Sequence, residues 1–420
     1  MDTLDLARLQ FALTAGAHFL FVALTLGLAT LVALIQTRAT IGRSEVHLRM
    51  TRFWGQLYVI NYAMGIVTGL VMEFQLGLSW RGLTDFAGNA FGSALALETV
   101  VAFFVESTFL GLWIFGWDRL NRWAHLSLIW IVTLTAYASA YWVMVSNGFM
   151  QNPVGYRREG GVLHVADFGA MATNPAAVVA FAHVLSAALV VGGFVMAGVS
   201  AYHLSRRTAE QEFFRKSLRL GAGLSLPALA ATATFGGIGF ETLQPNKIAA
   251  WTGDAGRMAQ VQAEMTALHG PGDYLPPAAW VQAGALTMLI VFGVMFLISA
   301  LSVLLMLFRP VVRGFRFWHW TLVAAIPLPF AAVLGGWIFR EMGRQPWTVY
   351  GLLTTADAMS PLTGGQVRLS LAAFAGVFAV LAAINYWLLA RAARRGPDGV
   401  TLGGERRREA PERPGPVLTF

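Results

Sequence analysis

Long apolar stretches dominate the chain and constrain its fold more than any other feature. A helix of about 20 apolar residues is long enough to cross the hydrocarbon core of a bilayer. Only 12% of the 420 residues are charged, whereas soluble domains contain about 25%. The sequence therefore predicts an all-α, polytopic transmembrane helix bundle of about nine spans. The predicted spans lie near residues 11–36, 54–78, 94–116, 125–147, 178–203, 219–240, 278–308, 318–340 and 369–391.

Positively charged residues are concentrated in alternate short loops, which predicts the orientation of the bundle. The loops after the first, third, fifth and seventh spans are rich in Arg, as is the C-terminal tail. Cytoplasmic loops carry the excess of Lys and Arg in membrane proteins. We therefore expect the N-terminus outside and the C-terminus inside, with the long segments 148–177 and 241–277 on the outer side. This topology explains the net charge of +8, so no nucleic-acid partner is predicted.

Composition divides the chain into a membrane domain and a tail. Residues 1–393 contain all the predicted spans, and the outer segment 241–277 is rich in Pro, Gly and polar residues, as in a functional loop. Residues 394–420 are rich in Arg, Gly and Pro and are predicted to form a disordered cytoplasmic tail. The absence of cysteine excludes disulfides, iron–sulfur clusters and thiolate-bound zinc. Any metal must therefore be bound by His, Met or carboxylate side chains.

The third span contains two acidic residues within an apolar run, Glu98 and Glu106. A charged side chain at the centre of a membrane helix costs about 2.5–3.5 kcal/mol. In an α-helix, the eight-residue spacing separates the two acids by about 80° around the axis and by roughly 12 Å along it. This arrangement favours a cofactor cavity with a proton path. The alternative is a pair of protonated acids that are hydrogen-bonded between helices.

Candidate ligand residues from five different spans fall in the outer half of the predicted bundle. A random distribution would place such residues in both halves. They include imidazole and thioether groups, which haem iron accepts as ligands, so the pattern predicts a cofactor layer near the outer face. Glu106 lies deeper, where a proton relay from the inside would pass. The predicted layer consists of His18, Glu98, His183, Met288 and Glu341.

Simpler interpretations exist for the candidate ligands. A single His in a membrane helix is often hydrogen-bonded between helices, and Met in an apolar helix usually serves packing. Four further histidines lie near the predicted inner ends of the spans, where solvation at the membrane interface accounts for them. These are His47, His125, His203 and His319.

Two polar clusters lie on the predicted outer side. The segment Gly343-Arg-Gln-Pro-Trp347 is typical of an interfacial anchor that ends a helix. Its Arg344 could instead pair with a haem propionate, because a guanidinium group matches a carboxylate with two hydrogen bonds. Gln244 and Lys247 open the segment 241–277. They belong either to an ordinary loop start or to a quinol site, in which the amide and the amine contact the ring oxygens.

Together these residues resemble subunit I of the cytochrome bd-type quinol oxidases, over about residues 5–390. Four segments support the resemblance, in the same order along the chain. They are Leu9-Gln-Phe-Ala-Leu-Thr-Ala with His18-Phe-Leu-Phe, Ala102-Phe-Phe-Val-Glu-Ser-Thr-Phe with Gly116-Trp-Asp-Arg, Ser146-Asn-Gly-Phe-Met-Gln-Asn-Pro153, and Gly343-Arg-Gln-Pro-Trp347.

The resemblance implies a respiratory oxidase of a bacterial inner membrane. This chain would contain two b haems and one d haem, oxidise quinol on the outer side and reduce O₂ to water with protons from the inside. Its implied partners are a second large membrane subunit and a small single-span subunit. His183 matches the family's ligand of the low-spin b haem, with Met288 as the candidate second ligand. His18 and Glu341 match axial ligands of the high-spin b haem and haem d, and the sequence leaves open which residue binds which haem.

The resemblance also implies roles for three further residues. Glu98 matches a carboxylate at the dihaem site, and Glu106 matches the inner acid of the proton path. Trp337 matches an aromatic residue between the haems.

The sequence departs from the family pattern at two places. The family's quinol loop has a Lys followed five residues later by a Glu, and here that position is Thr252. The family has an Arg two residues before its Met ligand, but Leu286 precedes Met288, and alignment on Trp280 would place Ala285 at the Met position. A second hypothesis is therefore a bd-like membrane haem oxidoreductase without a standard quinol site. A third is an ion or proton transporter that uses the buried acids. The sequence does not determine the quinone type.

Overall fold

A computed structural model of the chain describes residues 2–240 and 242–403, apart from the side chains of residues 100–102, 309 and 313. Within this part of the chain, nine helices are long and apolar enough to cross a membrane, and each overlaps one predicted span. The predicted all-α membrane bundle is therefore confirmed. The helices are α1 (Thr3–Gly42), α2 (Glu45–Ser79), α3 (Arg81–Ala96), α4 (Phe104–Phe115), α5 (Arg122–Gln151), α6 (Phe168–Ala172), α7 (Pro175–Ser205), α8 (Gln211–Phe240), α9 (Pro245–Thr252), α10 (Ala255–His269), α11 (Ala278–Leu305), α12 (Arg309–Gly314), α13 (Arg316–Ala324), α14 (Leu328–Met342), α15 (Thr355–Ala358) and α16 (Gly364–Arg395). Two antiparallel strand pairs, β1 (Tyr156–Glu159) with β2 (Val162–Val165) and β3 (Trp347–Val349) with β4 (Leu353–Thr354), lie in the loops.

Polar side chains cap several of these helices. Asp2 accepts a hydrogen bond from the Asp5 amide at 2.7 Å at the start of α1. Thr363 and Gln366 form a reciprocal capping box at the start of α16. Such caps satisfy amide groups that have no partner within the helix, which is why these helices begin where they do.

The third spanning helix is not a regular α-helix. α3 and α4 are joined by a π-helical segment, Leu97–Phe103, which contains Glu98. A π-helix is wider than an α-helix and occurs mostly in short stretches at functional sites. The separation of about 80° that α-helical geometry predicts for Glu98 and Glu106 is therefore wrong, because most of the chain between them is π-helical.

α1 lies at the centre of the bundle and packs against α2, α5, α7 and α16. Its middle residues Leu28 and Leu31 are fully buried. It crosses α7 where Gly27 faces Gly192, and a Cβ on Gly27 would lie 2.1 Å from the Ala188 carbonyl oxygen. Only glycine permits this approach of the two backbones, so the crossing fixes α7 against the central helix.

The two ends of the bundle differ in structure. The loop end has the β1–β2 hairpin, the helices α9 and α10, and the segment 343–363. The opposite end, which we call the tail end, has residues 396–403. The segment 241–277 at the loop end is thus largely helical. The positive charge of the loops predicts that the loop end faces outside.

The beginning of the predicted disordered tail is packed against the tail end. The Thr401 amide donates to Gln56 Oε1 at 2.7 Å, and Leu402 packs against the main hydrophobic core. The prediction of disorder is therefore wrong for residues 394–403, because apolar side chains within this stretch have a core surface to cover. Residues 404–420 lie outside the described residues.

Candidate functional site

Polar side chains of α5, of α14 and of the loop after α14 form a buried network at the loop end, and a backbone carbonyl of α7 joins it. Glu341, at the end of α14, accepts from Arg344 Nη2 at 2.5 Å and from Asn147 Nδ2 at 3.0 Å. Asn147 Oδ1 accepts in turn from Arg340 Nε at 2.7 Å. Arg340 also donates to the Ala176 carbonyl at 3.2 Å. The predicted iron ligand Glu341 is therefore the centre of contacts that join α5, α7 and α14.

The two predicted quinol residues belong to the same network. Gln151 Oε1 accepts from Lys247 Nζ at 3.0 Å and from Gln244 Nε2 at 3.2 Å. Lys247 is 1% exposed, and a Cβ on Gly343 would lie 2.6 Å from its Cε. Both predicted quinol side chains are thus inside the protein and bound to α5.

The network contains more positive than negative charge. Two guanidinium groups, Arg340 and Arg344, and the amine of Lys247 surround the single acid Glu341. The Nε and Nη1 atoms of Arg344 are buried without a partner among the described residues. Buried charges are normally paired, so the network is suited to additional anionic groups such as carboxylates.

Burial also changes the protonation of Lys247. Removal from water lowers the pKa of its ammonium group well below the usual range, and the charge of Arg340 lowers it further. Glu341 acts in the opposite direction but does not outweigh these effects. A neutral Lys247 amine has a lone pair that can accept a proton.

The ring of His183 is held in one tautomer. Its Nδ1 lies 2.9 Å from the Thr232 carbonyl oxygen of α8. A carbonyl oxygen only accepts, so Nδ1 bears the hydrogen and Nε2 presents its lone pair. No hydrogen-bond partner of Nε2 is found among the described residues. Histidines that bind metals are commonly oriented by such a bond from the other ring nitrogen.

The ring of His18 has the same arrangement with a hydroxyl group as its partner. His18 Nδ1 lies 2.9 Å from Thr68 Oγ1. The Thr68 hydroxyl also lies within hydrogen-bond distance of the Met64 and Gly65 carbonyls of its own helix, at 2.9 and 3.0 Å. When Thr68 donates to one of these carbonyls, it accepts from His18 Nδ1, and the His18 Nε2 lone pair is then left for another ligand.

All three neutral ligand candidates lie against a glycine of a neighbouring helix. A Cβ at any of these glycines would be tight against the ligand side chain, so a larger residue would displace it. The pairs, with the distance from that Cβ position to the ligand side chain, are His18 with Gly69 (3.3 Å), His183 with Gly236 (3.1 Å) and Met288 with Gly336 (3.0 Å).

Helix α14 lies between the helices of several candidates. Trp337 packs on α1, 3.6 Å from the position of a Cβ on Gly16, and the Met288 sulfur of α11 faces the adjacent Gly336. His183 faces α8 instead, so the described contacts do not bring His183 and Met288 together. The alternative position, Ala285, lies in an apolar cluster and offers no donor atom.

Glu98 lies apart from the Glu341 network. Its Oε1 accepts from Ser139 of α5 at 2.7 Å, and its Oε2 accepts from Thr99 at 3.0 Å. Thr99 also approaches Glu73 of α2 at 3.0 Å. Glu98 is thus held by hydroxyl groups rather than by cations.

Glu106 lies in a buried cluster with two tyrosines. It is 5% exposed, and its Oε1 has no hydrogen-bond partner among the described residues. The hydroxyl of the fully buried Tyr58 also has none. The rings of Tyr58 and Tyr62 are 5.8 Å apart, and both side chains are close enough to Glu106 to interact electrostatically with it. Ordered water would satisfy such buried polar atoms.

The histidines at the tail end are structural. His125, His203 and His319 are 4%, 2% and 0% exposed, so interfacial solvation does not account for them. Each has Nε2 at a backbone carbonyl, at 2.9, 2.8 and 3.2 Å respectively. Their positions near helix ends suggested solvation, but contacts from other helices cover them.

Several residues of the site were not predicted from the sequence. Asn147, Gln151 and Arg340 connect the candidates, and Tyr58 lies beside Glu106. The spacing of Asn147 and Gln151 was an available signal, because residues four apart share one face of a helix. No comparable signal marked Arg340, whose role depends on contacts with α5 and α7.

The residues at the loop end fit a haem group. His183 has a fixed tautomer with Nε2 free, His18 Nδ1 bonds to a hydroxyl that allows the same tautomer, and the partly unpaired Arg344 is suited to a propionate carboxylate. Glycines leave room beside the candidate ligands.

Comparisons with known proteins show the family of the chain. The family model described as cytochrome bd terminal oxidase subunit I matches residues 6–271 and 255–397. Cytochrome bd ubiquinol oxidase subunit 1 of Bacillus subtilis (strain 168) is 37% identical and covers 95% of each chain. Cytochrome bd-II ubiquinol oxidase subunit 1 of Escherichia coli (strain K12) is 32% identical, covering 95% of this chain and 98% of the relative.

A solved structure shows the same fold. The bd oxidase of Geobacillus thermodenitrificans superposes with a TM-score of 0.83 at 26% identity, covering 94% of this chain and 99% of the other. The two curated relatives also cover almost the full chain. The chain therefore belongs to the cytochrome bd terminal oxidase subunit I family, as a multi-pass membrane subunit of a respiratory oxidase.

Proposed function

We propose that this subunit oxidises quinol at the outer face of a bacterial inner membrane and provides the site where O₂ is reduced to water. The observation that supports this most strongly is the tautomer of His18 and His183. His183 Nδ1 donates to a carbonyl and leaves Nε2 free, and the Thr68 hydroxyl is placed to hold His18 in the same tautomer. Two imidazoles prepared in this way within one membrane bundle are suited to binding iron.

The proposed cofactors are two b haems and one d haem. Haem iron supplies electron transfer and an open coordination position for O₂. His183 would bind the low-spin b haem, with Met288 as the candidate second ligand. His18 and Glu341 would bind the high-spin b haem and haem d, in either order.

Two further residues complete the proposed haem site. Arg344 would hold a propionate with its unpaired Nε and Nη1 atoms. Trp337, which packs on α1, would separate the haems.

Protons would reach the haem site from the inside through Glu106 and Glu98. Glu106 is buried and has an unpartnered oxygen, as expected for a group that exchanges protons with internal water. Glu98 accepts from Ser139 and Thr99, which orient its carboxylate.

Quinol would bind near Gln244 and Lys247. The lowered pKa of Lys247 favours a neutral amine, which can accept the proton of a quinol hydroxyl. The Gln244 amide would donate a hydrogen bond to a ring oxygen of the quinol. Both side chains donate to Gln151 Oε1 in the structure. A bound quinol would therefore replace the Gln151 amide as their hydrogen-bond partner.

The proposed complex contains a second large membrane subunit and a small single-span subunit. Large apolar side chains are exposed on α2 and α4, which would be covered by a partner subunit or lipid. They include Leu70 (49% exposed), Phe74 (69%), Leu78 (60%), Phe104 (61%) and Phe115 (75%). We place the loop end outside, in agreement with the distribution of Arg.

The reduced-minus-oxidised visible spectrum of the purified complex tests this function. The proposal predicts b-type bands together with a chlorin band of haem d. A spectrum with b haems alone would support a bd-like oxidoreductase of another kind. A spectrum without any haem would leave ion or proton transport by the buried acids as the remaining hypothesis.

One observation favours the second candidate, a bd-like oxidoreductase without a standard quinol site. Lys247 is buried against Gly343, and Thr252 is bonded only to the backbone of its own helix, at 3.0 and 3.2 Å. Reduction of the haems by excess quinol, compared with reduction by dithionite, separates the two candidates. Equal reduction supports the quinol oxidase, and reduction by dithionite alone supports the second candidate.

A further inference from the structure

A surface groove lies along the last turns of α16, at the tail end. Its volume is about 490 Å³, which lies within the range of sites that bind small molecules. Three arginines and two aromatic residues account for most of its lining. The lining residues, all from α16, are Tyr386, Trp387, Ala390, Arg391, Arg394 and Arg395.

The spacing of the arginines places them on one face of the helix. Arg391 and Arg394 follow Trp387 by four and seven residues, and Arg395 follows it by eight. Such spacings bring side chains to the same side of an α-helix. Leu389, on the other side of these turns, packs against the main hydrophobic core. The groove therefore faces away from the bundle, and its Trp387 is 55% exposed.

The three guanidinium groups of the groove have no anionic partner in the part of the chain that the structure describes. None of them belongs to an ion pair there. By contrast, Arg49 at the same end pairs with Glu210 at 2.8 Å. Asp398, which follows the groove in sequence, lies 3.8 Å from Arg49. The groove is thus a concentrated positive charge that attracts an anion.

An aromatic ring positions one of these guanidinium groups. Arg391 Cζ lies over the Trp387 ring, 5.0 Å from its centroid. Stacking of this kind leaves the N–H groups at the edge of the guanidinium plane available. Two of them can donate parallel hydrogen bonds to a phosphate group. The groove is therefore suited to a phosphate.

An apolar stripe continues from the groove toward the middle of α16. Val377, Val380 and Ile384 are 45%, 57% and 41% exposed, and their spacing places them on the same side of the helix as Trp387. Trp and Tyr are enriched at the boundary between the hydrocarbon core and the headgroups of a membrane. Along its length this face is apolar, then aromatic, then cationic. That order matches a phospholipid rather than a soluble anion.

We propose that the groove binds the headgroup of an anionic phospholipid in the inner leaflet. The three arginines bind the phosphate, and the acyl chains lie along the apolar stripe. Basic clusters at the cytoplasmic end of a membrane helix bind anionic lipids. A zwitterionic headgroup would bring a cation close to three arginines, and like charges repel. The groove lies at the opposite end from the candidate haem ligands, so this inference does not depend on quinol oxidation.

Native mass spectrometry of the purified oxidase complex, titrated in detergent with dioleoylphosphatidylglycerol, tests the site. The wild type should bind this anionic lipid more tightly than dioleoylphosphatidylcholine, whose headgroup carries a cation. The combined variant Arg391→Gln, Arg394→Gln and Arg395→Gln should bind phosphatidylglycerol on the order of 100-fold more weakly, because each Arg near an anionic lipid changes binding roughly fivefold.

A matched control removes the same charge from the same end of the molecule. Arg206, Arg207 and Arg219 are exposed near the tail end, and their combined replacement by Gln should leave phosphatidylglycerol binding at the wild-type level. The visible spectrum and thermal unfolding of each variant report its assembly. The single variant Arg394→Gln, with a loss of roughly fivefold, provides the same test if the combined groove variant does not assemble.

Three results would overturn the proposal. The first is equal affinity of the wild type for the two lipids, and the second is an equal loss of phosphatidylglycerol binding in the groove variant and the control. The third is displacement of phosphatidylglycerol by inorganic phosphate, which would show a site for free anions. A wild-type complex that binds no phosphatidylglycerol would also contradict the proposal and would indicate that a partner subunit covers this face of α16.

Discussion

His183 and His203 lie on the same helix, α7, but use opposite ring nitrogens. At the loop end, His183 donates from Nδ1 to the Thr232 carbonyl and leaves Nε2 free. At the tail end, His203 has Nε2 at the Ala393 carbonyl, at 2.8 Å, and its ring is stacked on Phe214 at 3.9 Å. One imidazole is prepared to bind a ligand, and the other completes the packing of the bundle.

The same contrast extends to the two ends of the molecule. The main hydrophobic core reaches the tail end, where His125 bonds to both Gln36 Nε2 and the Trp113 carbonyl, at 2.9 Å each. Within the described part of the chain, unpartnered buried nitrogen atoms occur at both ends, for example His203 Nδ1 at the tail end, but at the loop end two of them belong to the guanidinium group of Arg344. Unsatisfied buried groups are rare in native proteins and require an explanation. For Arg344, we propose that a haem propionate is the missing partner.

The largest expected effect is on the low-spin haem. His183→Ala should remove the low-spin b signal from the visible spectrum completely, because the iron loses its imidazole ligand. The matched variant His203→Ala should keep every haem band and lower the free energy of unfolding by about 1–3 kcal/mol, through loss of a buried hydrogen bond and ring packing. Equal spectra for the two variants would contradict the assignment of His183 as a haem ligand and of His203 as a structural residue.

Met288 is tested by the same signal. Met288→Ala should convert the low-spin b spectrum to a high-spin one if the sulfur binds the iron. An unchanged spectrum would show that Met288 only packs on Gly336, as the contact between its sulfur and α14 also permits.

Glu106→Gln should slow turnover by a factor on the order of 10²–10⁴, the usual contribution of a proton-transfer group. Haem content should not change, because Glu106 lies in the tyrosine cluster away from the candidate ligands. Glu212→Gln, which removes a carboxylate that pairs with Lys216 at 2.9 Å near the tail end, is the control and should turn over normally. Loss of haem in Glu106→Gln would make this residue structural.

Arg344→Gln should lower the free energy of unfolding by about 3–5 kcal/mol, since it leaves the Glu341 carboxylate without its ion pair in a buried site. Arg157 forms an ion pair with Glu159 at 2.9 Å, but both side chains are 58% exposed. Arg157→Gln should therefore cost at most about 1 kcal/mol. Thermal unfolding of the two variant complexes measures both changes in the free energy of unfolding. Equal changes would show that burial does not strengthen the Arg344–Glu341 ion pair.

Substitutions at two adjacent glycines of α8 distinguish an effect on the His183 ring from a general effect on helix packing. A Cβ at Gly236 would lie 3.1 Å from the His183 ring, whereas one at Gly237 would meet no atom within 4 Å. Gly236→Ala should shift the low-spin b bands and cost about 1–3 kcal/mol by overpacking. Gly237→Ala should leave the bands in place and stabilise the helix by about 0.5–1 kcal/mol. A band shift in both variants would point to a general change in α8.

The smallest expected effect is a pH dependence of quinol oxidation. The pKa of Lys247 is depressed by burial, so its amine is neutral above that pKa and protonated below it. Quinol oxidation should therefore fall as pH decreases through the depressed pKa, and Lys247→Met should remove this dependence. Lys216→Met, which alters an exposed ion pair, should retain the wild-type pH profile. A wild-type profile in Lys247→Met would exclude Lys247 as the proton acceptor.

Hydropathy was sufficient to predict the nine spans, because length and apolarity alone decide whether a helix can cross a membrane. It could not predict the π-helical segment around Glu98, since that segment differs from an α-helix only in its backbone hydrogen-bond register. The packing of Val400 and Leu402 was missed because the composition of the tail predicted disorder, whereas both side chains pack on the main hydrophobic core.

The candidate site shows the same limit. The residue types that bind haem stand out in apolar helices, so His18 and His183 were found from the sequence. Which ring nitrogen of His18 and of His183 is free depends on contacts with Thr68 and Thr232. Both threonines lie on neighbouring helices, so the sequence alone does not show these contacts. Arg340 and Tyr58 were missed because their significance lies in contacts between helices that are distant in the sequence.

A cryo-electron microscopy map of the purified complex tests the central claim most directly. We predict haem iron bonded to Nε2 of His183 and of His18 at the loop end, with Arg344 beside a propionate. Haem bound instead at His125, His203 or His319, or a loop end that contains no haem, would contradict the account.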